Sequence, residues 1–339
     1  MGSLPVGKLP HDLLHAMLQD LPHDPDVLVG PGIGRDAAAV RVGEQVLIFK
    51  TDPITFPTDD AGWYLVNINA NDIACMGAAP KWLLVTALLP ENDTTPELVS
   101  TLFSSIRDAT AGLGCTLIGG HTEITEGLDR PILVGQMIGV TDEQRLVDPT
   151  RARPGDAVLM IGGIAVEGTA ILATDAEDTL RETLDPDMLD RARTFARDPG
   201  ISVVSYAQRL TGNRDVDVRA MHDPTEGGLG TGLREIADAT GYGIQIDQSS
   251  VFIHAETSAI TSELGIHPWG LIASGALLAV IDQQSVQPAL VSFSESGIPA
   301  HQIGSLTDNP SELTLIVNGK RERIPEFTVD EIARYFADQ

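Results

Sequence analysis

Val66-Asn-Ile-Asn-Ala-Asn-Asp-Ile-Ala-Cys-Met-Gly-Ala78 is the stretch on which the fold turns. Trp63, Val66, Ala70, Ile73 and Ala74 recur at three- and four-residue steps, which predicts a helix over Asp60 to Gly77 with the glycine as its stop. Asn71 and Asp72 stand on that helix among apolar neighbours. A buried carboxylate costs several kcal/mol unless it is paired or metal-bound, so Asp72 needs a partner. Magnesium is the natural candidate, because it takes oxygen ligands from one or two carboxylates and completes its shell with water and phosphates. Asp36 after a glycine loop and Asp52 at a strand end offer two further acids, on separate elements that would converge at one mouth. Turn and capping roles for Asp36 and Asp52 remain open.

Outward from this helix the chain alternates. On its N-terminal side Lys8 to Asp20 places Leu9, Leu13, Leu14, Met17 and Leu18 at helical spacing, and Ala37 to Val42 with Gln45 to Thr51 read as a hairpin. On its C-terminal side follow a strand over Trp82 to Leu88, a helix over Pro96 to Gly114, and strands over Thr116 to Ile118 and Ile132 to Val140. Thr141 to Pro154 is polar and apolar-poor, so residues 1–150 and 151–339 are expected to form two domains. The second half predicts strands over Ala157 to Ile161, Val216 to Met221, Gly243 to Ile246, Ala276 to Ile281 and Leu313 to Val317. Its helices are expected over Glu167 to Thr174, Met188 to Ala196, Ser202 to Leu210, Glu226 to Thr240 and Ser285 to Ser294. The fold class is α/β of the α+β type, in two domains.

The 339 residues carry 48 acids against 22 bases, a net charge of −26, and only 4 of the bases are lysine. Such a surface repels a phosphate backbone and an anionic membrane, so neither is expected as a partner. A phosphate ligand would need metal. Screening at very high salt would relieve the self-repulsion, which suggests halophilic adaptation; an ordinary acidic cytosolic protein is the alternative. Cys75 and Cys115 both lie in apolar settings and are expected in the core, so a disulfide framework is excluded and a reducing cytoplasm fits. Met1 to Pro10 lacks the pattern of an export signal.

Three further segments could carry chemistry. Gly30-Pro-Gly-Ile-Gly34 can bring backbone N–H groups close to a phosphate, though it is neither a Walker loop nor a dinucleotide fingerprint. Gly119-Gly-His-Thr-Glu123 follows a short apolar strand and is expected to expose His121 past its end. There the imidazole could shuttle a proton, bind an oxyanion or simply hydrogen-bond Glu123. His222-Asp-Pro-Thr-Glu-Gly-Gly228 is expected to cap the helix that follows through Asp223 or Thr225, and capping explains it as well as catalysis does.

Gly32-Ile-Gly-Arg-Asp-Ala-Ala, Thr51-Asp52, the Val66 to Ala78 stretch, Gly119-Gly-His-Thr-Glu and Asp223-Pro-Thr-Glu-Gly-Gly-Leu occur in that order. Together they resemble the aminoimidazole ribonucleotide (AIR) synthetase superfamily, which includes thiamine-monophosphate kinase, selenophosphate synthetase and HypE, with the HypE-like AIR synthase-related branch most similar. The resemblance covers nearly the whole chain. It implies ATP and magnesium, a homodimer formed through the N-terminal sheets, and a small-molecule acceptor activated by phosphoryl transfer. Carried over by position, Asp36, Asp52 and Asp72 resemble the metal acids. Gly32, Gly34, Lys50, Thr51, Asn71, Gly119, Gly120 and Thr122 match nucleotide-binding positions, and His121, Glu123 and Asp223 match catalytic ones. Arg35 stands where an acid is usual, and Glu226 where HypE has a basic residue. HypE carries its substrate on a C-terminal cysteine, whereas no cysteine follows Cys115, so dehydration of a carbamoyl group on its own tail is not expected. A thiamine-monophosphate-kinase-like enzyme and a non-catalytic nucleotide-binding scaffold are the alternatives.

Overall fold

The computed structural model describes residues 9, 11–18, 21–22, 24–32, 37–55 and 60–337. The first half holds β1 (Val27–Val29), β2 (Ala38–Val42), β3 (Gln45–Ile54), β4 (Ala79–Pro90), β5 (Thr116–Thr125) and β6 (Ile132–Thr141), with helices α1 (His11–Leu18), α2 (Ala61–Cys75) and α3 (Pro96–Gly112). The strands form one sheet in the order β1-β2-β3-β6-β4-β5. Pairing is antiparallel except between β4 and β5, which α3 connects in parallel.

α2 lies flat on one face of this sheet because β6 is glycine-bearing where the helix crosses it. A Cβ on Gly135 would come within 2.6 Å of Asn69 Nδ2, and one on Gly139 within 2.3 Å of Ile73 Cγ2. The helix is thus buried on nearly all sides, against the sheet, α3 and the second half of the chain. Helices buried all round are apolar by rule, so each polar side chain on α2 must find a partner.

The second half holds β7 (Ala157–Ile161), β8 (Val218–His222), β9 (Gly243–Asp247), β10 (Leu277–Ile281), β11 (Ala300–Thr307), β12 (Leu313–Val317) and β13 (Lys320–Arg323). Its helices are α4 (Val166–Asp175), α5 (Glu177–Leu180), α6 (Pro186–Thr194), α7 (Val204–Gly212), α8 (Gly228–Thr240), α9 (Ala255–Glu263), α10 (Val286–Ser294) and α11 (Glu331–Ala337). The sheet runs β13-β12-β9-β11-β7-β10-β8. One hydrophobic cluster passes from Ile48 and Leu83 of the first sheet through Ile73 of α2 to Tyr206 and Met221 of the second half. Among the described residues no helix is long and apolar enough to cross a membrane.

The expected alternation is present, with three corrections. The strand expected to stop at Ile118 continues to Thr125, so Gly119 to Glu123 lie within the edge strand β5 rather than past its end. Gly119 and Gly120 keep the strand going at φ +159° and +152°, backbone that side chains rarely adopt, and a Cβ on Gly120 would lie 1.9 Å from Val85 O. The helix expected from Glu226 begins at Gly228, and neither Asp223 nor Thr225 caps it. Gly227 is the cap residue, in the left-handed region at φ +78° with no side-chain cap bond, and its N–H donates to Asp330 Oδ2 at 2.7 Å. Strands β1, β11 and β13 and helices α5, α9 and α11 were not anticipated.

Candidate functional site

The polar residues of α2 are all bonded. Asn67 donates to Trp63 O at 2.9 Å, and Asn69 donates to Leu65 O at 2.8 Å while its Oδ1 accepts the Asp52 N–H at 3.0 Å. Asn71 bridges the two halves: its Nδ2 donates to Ile201 O and its Oδ1 accepts from Val203 N, both at 2.9 Å. The carboxylate of Asp72, 6% exposed, has the partner that burial demands: Lys50 Nζ lies 2.9 Å from Asp72 Oδ2. The same ammonium lies 3.3 Å from Asp52 Oδ2.

Strand alternation explains this meeting. Lys50 and Asp52, two residues apart on β3, share the face that α2 covers, whereas Thr51 between them is exposed on the other. Register then divides the remaining candidates. Gly120 and Thr122 of β5 pair with Val85 and Ala87 of β4, on the α2 face; Gly119, His121 and Glu123 pair with Leu84, Thr86 and Leu88, on the opposite one. His121 and Glu123 are exposed and contact each other, Nε2 to Oε2 at 3.2 Å. Within one chain, therefore, Lys50, Asp52, Asn71 and Asp72 come together, while Thr51, His121 and Glu123 lie across the sheet from them. Gly32 is half-buried before β2, and Gly34 and Asp36 fall outside the described residues.

Cys75, at the end of α2, connects this cluster to the second half by donating to Asp223 Oδ1 at 3.6 Å. Both groups are buried, as is Cys115. Beside them an interdomain cleft of about 820 Å³ is lined by Met76, Leu146, Arg151, Met221, His222 and Glu235. His222 Nε2 and Glu235 Oε2 lie 2.7 Å apart on its wall, a hydrogen-bonded pair able to hold or pass a proton.

A second acidic region was not anticipated. Glu167, on the first turn of α4, is 1% exposed, and its Oε2 has no hydrogen-bond partner among the described residues. Burial pushes its carboxyl up to about 7; a nearby Ser274 hydroxyl moderates the rise, and Asp330 and Glu226 add repulsion. Burial likewise raises Asp330, although that carboxylate accepts from the N–H groups of Gly227, Ile272 and Ile332. Of these partners only Ile332 is near Asp330 in sequence; Gly227 and Ile272 lie 103 and 58 residues away.

The donor chemistry at Asp52 and Asp72, hard carboxylate oxygens on two elements, suits a magnesium ion, and the space between the two groups is bridged by the Lys50 ammonium. Among the described residues no group of three or more metal-binding side chains forms.

Comparison with known proteins matches this architecture. Residues 34–141 match the AIR synthase related protein N-terminal domain, and residues 153–316 its C-terminal domain. A putative hydrogenase expression/formation protein of Methanocaldococcus jannaschii is 26% identical over 275 residues, 77% of this chain and 77% of that protein. Carbamoyl dehydratase HypE of Cupriavidus necator is 29% identical over 255 residues, 73% of this chain and 69% of that protein. The crystal structure of the hydrogenase maturation protein HypE in complex with ATP shares the fold, with a TM-score of 0.69 at 23% identity over 94% of this chain and 90% of that one. With both halves matched in order, the chain belongs to the AIR synthase related protein family.

Proposed function

We propose that this protein is an ATP-dependent, HypE-like enzyme that activates a small-molecule acceptor by phosphoryl transfer. The observation that carries the reading is the convergence of Asp52 and Asp72 on one point between β3 and α2. These two carboxylates, with Asp36, would hold the magnesium of magnesium-ATP. Bound there, the metal would neutralise charge on the transferring phosphoryl group. Asn71 fixes the helix that presents Asp72, and Gly32, Gly34, Gly119, Gly120 and Thr122 supply backbone and hydroxyl groups for the nucleotide. Residues 1–150 form the nucleotide half and 151–339 the acceptor half, where Asp223 is held at the domain junction.

His121 and Glu123 enter the same site from a second copy of the chain. Support for a homodimer comes from the sheet face opposite α2, where Leu47, Phe49, Trp82, Leu84 and Ile138 are only half-buried, and from the edge strand β5, which exposes Ile118 and Ile124 by 52% and 60%. Light scattering should give twice the chain mass. The acceptor is neutral or cationic, because the exposed carboxylate of Glu226 in the acceptor half would repel an anionic one.

Calorimetric titration of ATP with magnesium present tests the nucleotide site. Asp72→Asn should weaken binding at least tenfold, about 1.4 kcal/mol, and Asp223→Asn by much less. Equal affinity in Asp72→Asn and the parent would remove the reading.

A further inference from the structure

Lys50 is one of only 4 lysines in a chain with 18 arginines, and it stands between the two acids best placed for a metal. Its side chain is 15% exposed and that of Asp72 9%, so the pair is largely withdrawn from water, while Asp52 at 38% forms the open side. An ammonium is a compact point charge, whereas a guanidinium is a planar fork, and the former suits a position between two single oxygens on different elements. Its contacts among the described residues, 2.9 Å to Asp72 Oδ2 and 3.3 Å to Asp52 Oδ2, use the very atoms a bridging ion would use. Magnesium sits about 2.0–2.1 Å from its oxygens and gives up water reluctantly. A divalent ion bridging these oxygens would therefore press against a positive charge in a poorly screened setting.

We propose that Lys50 is a built-in counter-cation that keeps the Asp52–Asp72 pair closed to free divalent ions, so that metal enters this site only as a metal–nucleotide complex. The phosphates then supply the ligands and the negative charge that the ammonium withholds. This rests on the reading of the pair as a metal–nucleotide site, but its test uses metal alone.

Manganese, followed by the resonance of the free ion, is titrated into the protein without nucleotide. The parent protein should show no tight site at this pair. Lys50→Met should gain one manganese site per chain, at least tenfold tighter than any in the parent, and adding Asp72→Asn should abolish it. Lys50→Arg, which keeps the charge, should gain none. A parent that binds manganese as tightly as Lys50→Met, or a gained site that survives Asp72→Asn, would overturn the proposal. Should Lys50→Met not fold, acetylation of the lysines of the parent, read by mass spectrometry, replaces it. Manganese alone should leave the Lys50 rate unchanged, whereas faster acetylation would show that the ion displaces the ammonium and would overturn the proposal. Failure of the parent to bind ATP would sink the nucleotide reading and leave the metal-alone result to decide this one.

Discussion

α2 and α4 are both helices buried on most sides, one in each half of the chain, and each carries a nearly inaccessible carboxylate: Asp72 at 6% and Glu167 at 1% exposure. Asp72 faces an ammonium 2.9 Å away, whereas Glu167 has an Oε2 unbonded among the described residues and two acids for neighbours. Desolvation of a charge has two remedies, a partner of opposite sign or a proton, and this molecule uses one in each half. Asp72 is thereby held as a charge available to cationic chemistry, while Glu167 is neutral over much of the pH range in which the protein folds.

The largest expected effect breaks or sharpens that contrast at Glu167. Its value rises from 4.5 unfolded to about 7 folded, so between those limits the native chain binds the extra proton. The stability linked to it is therefore fully present below about pH 4.5 and lost as pH rises through about 7, a loss of about 3 kcal/mol. Glu167→Gln should remove this slope, so that urea unfolding of the variant falls by about 2.5 kcal/mol less than that of the parent between pH 5 and 8. Parallel curves for the two proteins would mean that Glu167 is solvated or paired, and the contrast with Asp72 would vanish.

A smaller effect is expected where the two halves are joined. Asn71 closes both of its bonds on the backbone of Ile201 and Val203, each 0% exposed, so Asn71→Ala strands a buried carbonyl and a buried N–H. At about 1 kcal/mol per bond the loss is about 2 kcal/mol. Asn71→Asp, which can still accept from Val203 but has no N–H to donate, should lose at least the first of these. Denaturant midpoints measure both, and an unshifted midpoint for Asn71→Ala would show that its two bonds do not help to join the halves.

The legibility of this chain follows the range of the interactions involved. The α2 helix, the β2–β3 hairpin and the buried strands β7 and β10 are written in periodicity a few residues long, and the structure has them within a few residues of expectation. The need of Asp72 for a partner was equally legible, since it follows from one carboxylate among apolar neighbours. That the partner is Lys50, 22 positions away, depends on strand alternation and helix placement together. Glu167 could have been found by the argument that found Asp72, because it too is a lone acid in Gly162-Gly-Ile-Ala-Val-Glu-Gly-Thr-Ala170. Reading it as a helix start hid it. The glycine pair at 119 and 120 misled in the opposite sense: two residues that usually end a strand here let β5 pass close to β4. Asp330 had little local signature, since beyond Ile332, two residues on, its N–H donors come from residues 227 and 272.

The smallest effect per group, summed over the whole surface, concerns salt. Ion pairs such as Arg151–Asp217 and Arg191–Glu256 weaken as salt rises, which would destabilise the fold. Repulsion among the acids weakens as well, which stabilises it. The balance is set by the count: were all 22 bases paired, 26 acids would remain without a base, so relief of repulsion wins. The Debye length shortens from about 10 Å at 0.1 M to about 3 Å at 1 M, less than the spacing of most surface charges. The melting temperature should therefore climb by several degrees between dilute buffer and molar KCl, with most of the gain below about 1 M because screening is by then nearly complete. Charge-neutralising surface variants, Asp to Asn at exposed positions such as Asp93, Asp178 and Asp308, should flatten the climb in proportion to the charge removed. A melting temperature indifferent to salt in the parent would mean that the acids are spaced widely enough to ignore one another, and would remove the halophilic reading.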